Sequence, residues 1–237
     1  MSVPVTEGSK PHRPIRSFVR RSGRLTEGQA RALETLWPRF GIEVSNTALD
    51  FQQLFQRQAP VFLEIGFGMG QSLAEMAKQR PEHDFIGIEV HEPGVGSLLC
   101  QIKEHNLENI RVISADAVEV MNSMIIEESL EGVYLFFPDP WHKKRHHKRR
   151  IVQPAFVEKI VKHIKPGGIL HMATDWENYA EHMLAVADNC GLLENKSGSR
   201  NYSPDTGNRV ETKFERRGLK LGHGIWDLIY VRKNLKG

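Results

Sequence analysis

Residues 136–150 read FFPDPWHKKRHHKRR, and the two halves of that string carry different chemistry. Phe136 and Phe137 end an apolar run that begins at Val133 and has the pattern of a buried strand. Pro138-Asp139-Pro140-Trp141 then stops regular structure, because each proline pushes the residue before it out of the helical region. One carboxylate, Asp139, is thereby held on a stiff turn at a strand end, beside an aromatic ring. Residues 141–150 add six cations and three histidines and no acid. A rigid carboxylate joined to a cationic block suits chemistry on a nucleic acid base, with the cations on phosphates. The plainer alternative is a solvated basic loop that happens to follow a strand.

A second constellation lies upstream, in Glu64-Ile65-Gly66-Phe67-Gly68-Met69-Gly70. Gly66, Gly68 and Gly70 let the chain turn tightly and let a ligand approach with no Cβ in the way. A dinucleotide fingerprint would space its glycines G-x-G-x-x-G. Here position 71 is Gln and the third glycine comes one residue early. Glu64 would also repel a pyrophosphate, whereas it would attract a cationic or amino-acid-bearing ligand. Glu89, 19 residues after Gly70, can accept hydrogen bonds from both hydroxyls of a ribose. Asp116 can accept from an adenine amino group, or simply cap the helix that follows it. Three acids at three consecutive strand ends describe S-adenosylmethionine better than a nicotinamide dinucleotide.

These residues need a scaffold that brings strand ends together, and the sequence supplies one. Apolar strands at 60–65, 84–89, 110–114, 132–137 and 169–174 alternate with helices near 70–80, 93–106, 117–125, 151–165 and 176–190. Near-continuous apolar strands alternating with helices imply a parallel sheet covered on both faces, hence a doubly wound α/β fold. Pro166-Gly167-Gly168 reads as a turn before the fifth strand. Strand-like segments near 192–197 and at 225–231 predict an antiparallel edge hairpin. Upstream, Thr26-x-x-Gln29 predicts a capping box opening a helix through about Trp37, ended by Pro38 and Gly41. A short helix is expected near 49–57. Residues 1–24 lack apolar periodicity and read as a flexible basic arm, with 25–237 as one catalytic domain.

Composition narrows the function classes. The chain has 237 residues, 40% hydrophobic and 26% charged, as an ordinary globular protein has. No apolar run reaches the roughly 20 residues that span a bilayer, and the N-terminus has no secretory h-region. Cys100 and Cys190 lack metal or redox spacing and read as buried free thiols of a cytoplasmic protein. The net charge of +3 is unevenly spread. Residues 1–24 carry six basic side chains against one acid, 141–150 six against none, and 195–237 ten against four. That leaves ten basic against twenty-four acidic residues elsewhere. An acidic body with three basic segments implies a localised polyanion-binding face, and no basic segment has the apolar stripe a membrane surface would need. His142 and His146 are four apart, as a zinc pair on a helix would be, but no third ligand is near, so no metal is expected.

The strings LEIGFGMG (63–70), GIEVHEPGVGSLL (87–99), ADA (115–117), FFPDPWHKKRHHKRR (136–150), TDWENYA (174–180) and TKFERRG (212–218) occur in that order. Together they resemble the bacterial tRNA (guanine-N7-)-methyltransferase family over roughly residues 35–235. The resemblance implies a class I methyltransferase, Rossmann-like fold with a mostly parallel seven-stranded sheet. It implies methyl transfer from S-adenosylmethionine to N7 of a guanine in the tRNA variable loop, at position 46, leaving S-adenosylhomocysteine. It places Glu64, Glu89, Asp116 and Asp139 on the cofactor side, where the turn of Gly66, Gly68 and Gly70 already reads as cofactor-binding. It places Lys143, Asp175, Thr212, Lys213, Phe214 and Glu215 on the substrate side, with Arg145, His146, His147, Lys148, Arg149 and Arg150 contacting RNA. Residues 1–24 fall outside it.

Guanine N7 is a lone pair with no proton to remove, so the task is alignment with the sulfonium methyl and tolerance of charge arriving on the purine. Asp139 is the expected catalytic residue for that charge. Asp175 and Glu215 are acceptors for the N1–H and amino donors of guanine, and Trp141, Trp176 and Phe214 are candidates to stack on the base or to pack in the core. Three other classes remain open at this level. A methyltransferase for small molecules or proteins leaves the basic block unexplained. A non-catalytic RNA binder leaves the acids unexplained, and a nicotinamide oxidoreductase conflicts with Glu64. Another RNA is the alternative substrate. Nothing in the sequence sets the oligomeric state, for which a monomer is the expectation.

Overall fold

A computed structural model describes residues 23–207, 209–210, 215 and 224–234. The basic arm through residue 22 and the Thr212-Lys213-Phe214 string lie outside the described residues. Among the described residues eight strands form one sheet: β1 (Gly41–Ile42), β2 (Val61–Ile65), β3 (Asp84–Ile88), β4 (Ile110–Ile113), β5 (Leu130–Phe136), β6 (Ile164–Thr174), β7 (Leu193–Asn195) and β8 (Trp226–Arg232). Their order across the sheet is β1-β4-β3-β2-β5-β6-β8-β7. Pairing is parallel from β1 to β6; β8 runs antiparallel to both β6 and β7. The expected antiparallel edge is therefore present.

Every residue of β2 and β3 is buried because helices cover both faces. The helices are α1 (Glu27–Phe40), α2 (Phe51–Phe55), α3 (Gln71–Gln79), α4 (Glu92–Glu104), α5 (Ala117–Ser123), α6 (Pro154–His163) and α7 (Glu177–Asp188). Alternate strand residues serve alternate layers. Phe62 and Phe85 pack with Leu73 and Met76 of α3 and Leu98 of α4, with α1 behind them. Leu63 and Ile86 pack on the opposite face with Val120 of α5, Ile160 of α6 and Met183 of α7. The strand order reverses at β2 and β5, which opens a crevice at their carboxyl ends.

Three local expectations need correction. The sheet has eight strands rather than seven, because Gly41–Ile42 adds parallel to β4; two residues carry no periodicity that a sequence reading could detect. Pro38 does not end α1. It sits on an exposed face, where the Glu34 carbonyl that loses its helical donor meets water, and buried Phe40 anchors one more turn. The Pro166–Gly168 turn is a loop-out within one strand: pairing with β5 holds at Ile164, shifts register, and resumes at Ile169. The Thr26–Gln29 capping box is present with both hydrogen bonds. Cys100 and Cys190 are free thiols, the second buried and the first half-buried.

Candidate active site

The crevice holds two adjoining clefts, of about 360 and 390 Å³, which share Gly66 and Phe137. Glu89, Asp116 and Asp139 line the first. Glu64, Gly68, Gly70, Asp175, Arg209 and Glu215 line the second. Residues that the sequence places on five separate strand ends thus meet in one groove.

The glycine turn is built for close approach. Gly66, Gly68 and Gly70 have φ of 73°, 58° and 79°, the left-handed region that glycine enters without penalty. A Cβ on Gly66 or Gly68 would meet nothing within 4 Å, whereas one on Gly70 would strike Leu98 of α4. The first two glycines therefore face the space for a ligand, and the third lets α4 pack. Glu89 staples the turn in place. Its carboxylate accepts the Gly68 N–H at 2.9 Å and the Val90 and His91 N–H groups at 2.7 and 3.0 Å. A carboxylate has about four lone-pair sites, so one remains for a ribose hydroxyl. Asp116 caps α5 by accepting the Val118 N–H at 2.9 Å and also lines the first cleft, so both of its expected roles fit.

Glu64 is the site's electrostatic anomaly. It is 3% exposed, and its Oε2 has no hydrogen bond among the described residues. Burial, reinforced by the nearby Glu89 charge, pushes its carboxyl up to about 8. A buried acid without a partner, beside a cradle that a Cβ would fill, fits a cationic ligand. S-adenosylmethionine presents a sulfonium and an amino group for Glu64, a ribose hydroxyl for Glu89 and an adenine for the Asp116 end. The residues present therefore fit that cofactor.

The turn that carries Asp139 is held from both sides. The Phe137 N–H donates to Ala173 O at 2.8 Å, extending the β5–β6 ladder by one bond. Phe137 and Trp141 both have positive φ, 49° and 45°, which a non-glycine residue adopts only when its surroundings enforce it. Asp139 is exposed between them and makes no hydrogen bond among the described residues, so it is not the self-bonded turn residue that Asp beside Pro often is.

Arg150 fixes the far side, and here an expectation fails. Arg150 does not face RNA. It is 2% exposed, its Nε donates to Pro140 O at 2.9 Å, and Nη2 donates to Asn178 Oδ1 at 2.9 Å. The guanidinium also covers the Tyr179 ring at 4.6 Å. A guanidinium satisfied by partners and ring is a clamp between the Asp139 turn and α7, not a phosphate contact. Arg145, Lys148 and Arg149 of the 3-10 turn Lys144–Arg149 are exposed, and His146 and His147 are half-buried. Arg149 lies 5.0 Å from the Trp141 ring centre, and His146 meets that ring edge-on at 5.9 Å. His142 instead packs edge-on to Trp176 at 4.2 Å, so the two histidines turn to different partners. Among the described residues no cluster of acids, histidines or cysteines could hold a metal.

On the substrate side, Asp175 is exposed at the end of β6 and Trp176, 40% exposed, opens α7. Glu215 lines the second cleft but is buried against Arg209. Lys143 lines neither cleft; it stands exposed at the start of the 3-10 turn. The sequence reading missed Arg209, Asp227 and His171, which form a buried polar chain that reaches the second cleft at Arg209. An arginine in a segment full of arginines gives no local sign that it is buried.

Residues 58–228 match a family model described as "Putative methyltransferase". A tRNA (guanine-N(7)-)-methyltransferase of Alcanivorax borkumensis is 57% identical over 227 residues, 96% of this chain and 95% of that one. One of Idiomarina loihiensis is 60% identical over 216 residues, 91% and 88% of the two chains. The chain belongs to the tRNA (guanine-N7-)-methyltransferase family. Its fold also matches the crystal structure of the 16S rRNA methyltransferase KamB, with a TM-score of 0.57 over 78% of this chain and 93% of that one at 14% identity. That likeness shows the methyltransferase fold alone. Among the described residues of this family member, no helix is long and apolar enough to cross a membrane.

Proposed function

We propose that the chain methylates N7 of a guanine in the tRNA variable loop, at position 46, using S-adenosylmethionine. The observation that carries the reading is the groove itself. Glu89, Asp116 and Asp139 line one cleft, the unpartnered buried Glu64 lines the other with Asp175 and Glu215, and the two meet at Gly66 and at Phe137, two residues before Asp139. When bound, the cofactor supplies a sulfonium methyl group to the purine lone pair. That transfer would bring positive charge onto the imidazole ring of the guanine, which the chain's own residues must then stabilise.

The chain's own groups have three tasks. Glu64 and Glu89 orient the donor, Glu64 through charge and Glu89 through the ribose. Asp175 and Glu215 accept the N1–H and amino donors of guanine, which adenine does not offer in that arrangement. Asp139, unbonded and rigidly placed, stabilises the charge arriving on the purine. Arg145, Lys148 and Arg149 hold phosphates, with Lys143 at the same rim, and Trp176 offers an exposed ring for the base.

The test uses methyl-labelled S-adenosylmethionine and two tRNA transcripts that carry guanine or adenine at the target position. Label confined to the guanine transcript, with N7-methylguanine-specific strand cleavage at that site, is the expected result. Label on other RNAs but not on this tRNA would move the substrate assignment elsewhere. No label on any RNA would end the nucleic acid reading.

A further inference from the structure

Ser203 and Arg209, both between β7 and β8, are fastened to one residue, Asp227. Asp227 lies in β8 opposite Ala173, at the carboxyl end of β6. Its backbone carbonyl accepts the Ser203 N–H at 2.7 Å. Its carboxylate takes Arg209 bidentately, Nε to Oδ1 at 2.9 Å and Nη2 to Oδ2 at 2.7 Å. His171, fully buried, meets the same Oδ1 through Nε2 at 2.8 Å and so braces Asp227 from β6. The third guanidinium nitrogen, Nη1, donates to Glu215 Oε1. The guanidinium carbon lies 5.3 Å from the centre of the Phe137 ring, immediately before the turn that carries Asp139.

We infer that Arg209 is a positioning residue for the acceptor base: anchored on Asp227, it fixes Glu215 against the Phe137 turn and thereby sets turnover. The inference rests on the proposed function, in which Glu215 receives donors of the base. Three observations carry it. Arg209 is 4% exposed and Glu215 5%, so water replaces neither partner. Arg209 is the one cation among the described residues lining the second cleft, where Asp175 and Glu215 would otherwise leave only negative charge. A planar guanidinium fork can hold two carboxylates while covering a ring, and the point charge of an ammonium cannot do all three. Asp227 meanwhile lines neither cleft, which makes it the anchor rather than a contact of the base.

The test compares Arg209→Lys, Glu215→Gln, the double variant and Asp227→Asn with the wild type. Each is assayed on the guanine transcript for kcat and KM, for S-adenosylmethionine affinity and for thermal melting, with active sites counted by cofactor binding. Misplacing the acceptor by about 1 Å should lower kcat of Arg209→Lys by about 100-fold. KM for tRNA and cofactor affinity should stay within about twofold, because neither phosphates nor donor touch this pair. The loss in the double variant should fall well short of the product of the single losses, the mark of residues acting through each other. A lower melting temperature with unchanged kcat per active site would show a purely structural ion pair and overturn the inference. Additive losses would overturn it as well. If Arg209→Lys does not fold, Asp227→Asn, which keeps the side chain's shape, carries the same readouts. A wild type inactive on the guanine transcript would overturn the proposed function and this inference together; an active wild type with a normal Arg209→Lys would overturn the inference alone.

Discussion

Glu64 and Asp139 are carboxylates a few residues from strand ends, yet their surroundings give them opposite properties. Glu64 is buried, and its carboxyl is raised from the usual range to about 8. The folded protein without ligand therefore keeps a proton there that the unfolded chain loses near 4.5. The stability contributed by that neutral form is fully present below that value and is lost as pH rises to about 8. Binding a cation reverses the preference and expels the proton. At pH 7, calorimetry in buffers of different ionisation heat should show close to one proton released per S-adenosylmethionine from this site, and Glu64→Gln should abolish that share. Equal release in both proteins would remove Glu64 from the cation site. Asp139 is exposed and unbonded, so Asp139→Ala should leave the melting temperature unchanged. Single-turnover transfer should nevertheless slow by about 10²–10³-fold, the usual cost of removing one preorganised electrostatic contact. Near-normal turnover would refute its role.

At the scale of elements, the site depends on how β5 ends and α7 begins. Phe137 continues the sheet by one bond, two residues take left-handed backbone, and Arg150 pulls the Pro140 carbonyl toward α7. Arg150→Ala should then behave unlike its neighbours. It should lower stability by about 2 kcal/mol, because buried acceptors lose their donor. It should also slow transfer by about 100-fold through the displaced turn, while the salt dependence of tRNA binding stays as in the wild type. Denaturant titration with steady-state kinetics at several salt concentrations decides this. A flattened salt slope with normal stability would return Arg150 to the phosphate contacts.

At the scale of the molecule, an acidic body presents a cationic 3-10 turn beside the carboxyl ends of the strands. Such a field brings a polyanion to the groove and leaves the chemistry to the groove. Replacing Arg145, Lys148 and Arg149 together by Ala should reduce the slope of log KM against log salt by roughly three, about one unit per phosphate contact. kcat at saturating tRNA should change little. An unchanged slope would move the RNA face away from this segment.

The sequence by itself determined the alternation of strands and helices, the glycine turn, the three acids at strand ends and the rigid Asp139 turn. All of these follow from signals within a few residues: apolar period, φ restriction at proline, absence of Cβ at glycine. Only the tertiary structure decided which arginines belong to the surface. Arg149 and Arg150 are adjacent and chemically identical, but one is exposed and the other closes against Asn178, 28 residues away. Arg209 is buried because Asp227 and His171 arrive from two different strands. The two-residue β1 likewise exists only because β4 lies beside it. A charge can be buried only where partners distant in sequence replace its water, and that replacement is fixed by packing rather than by the local sequence.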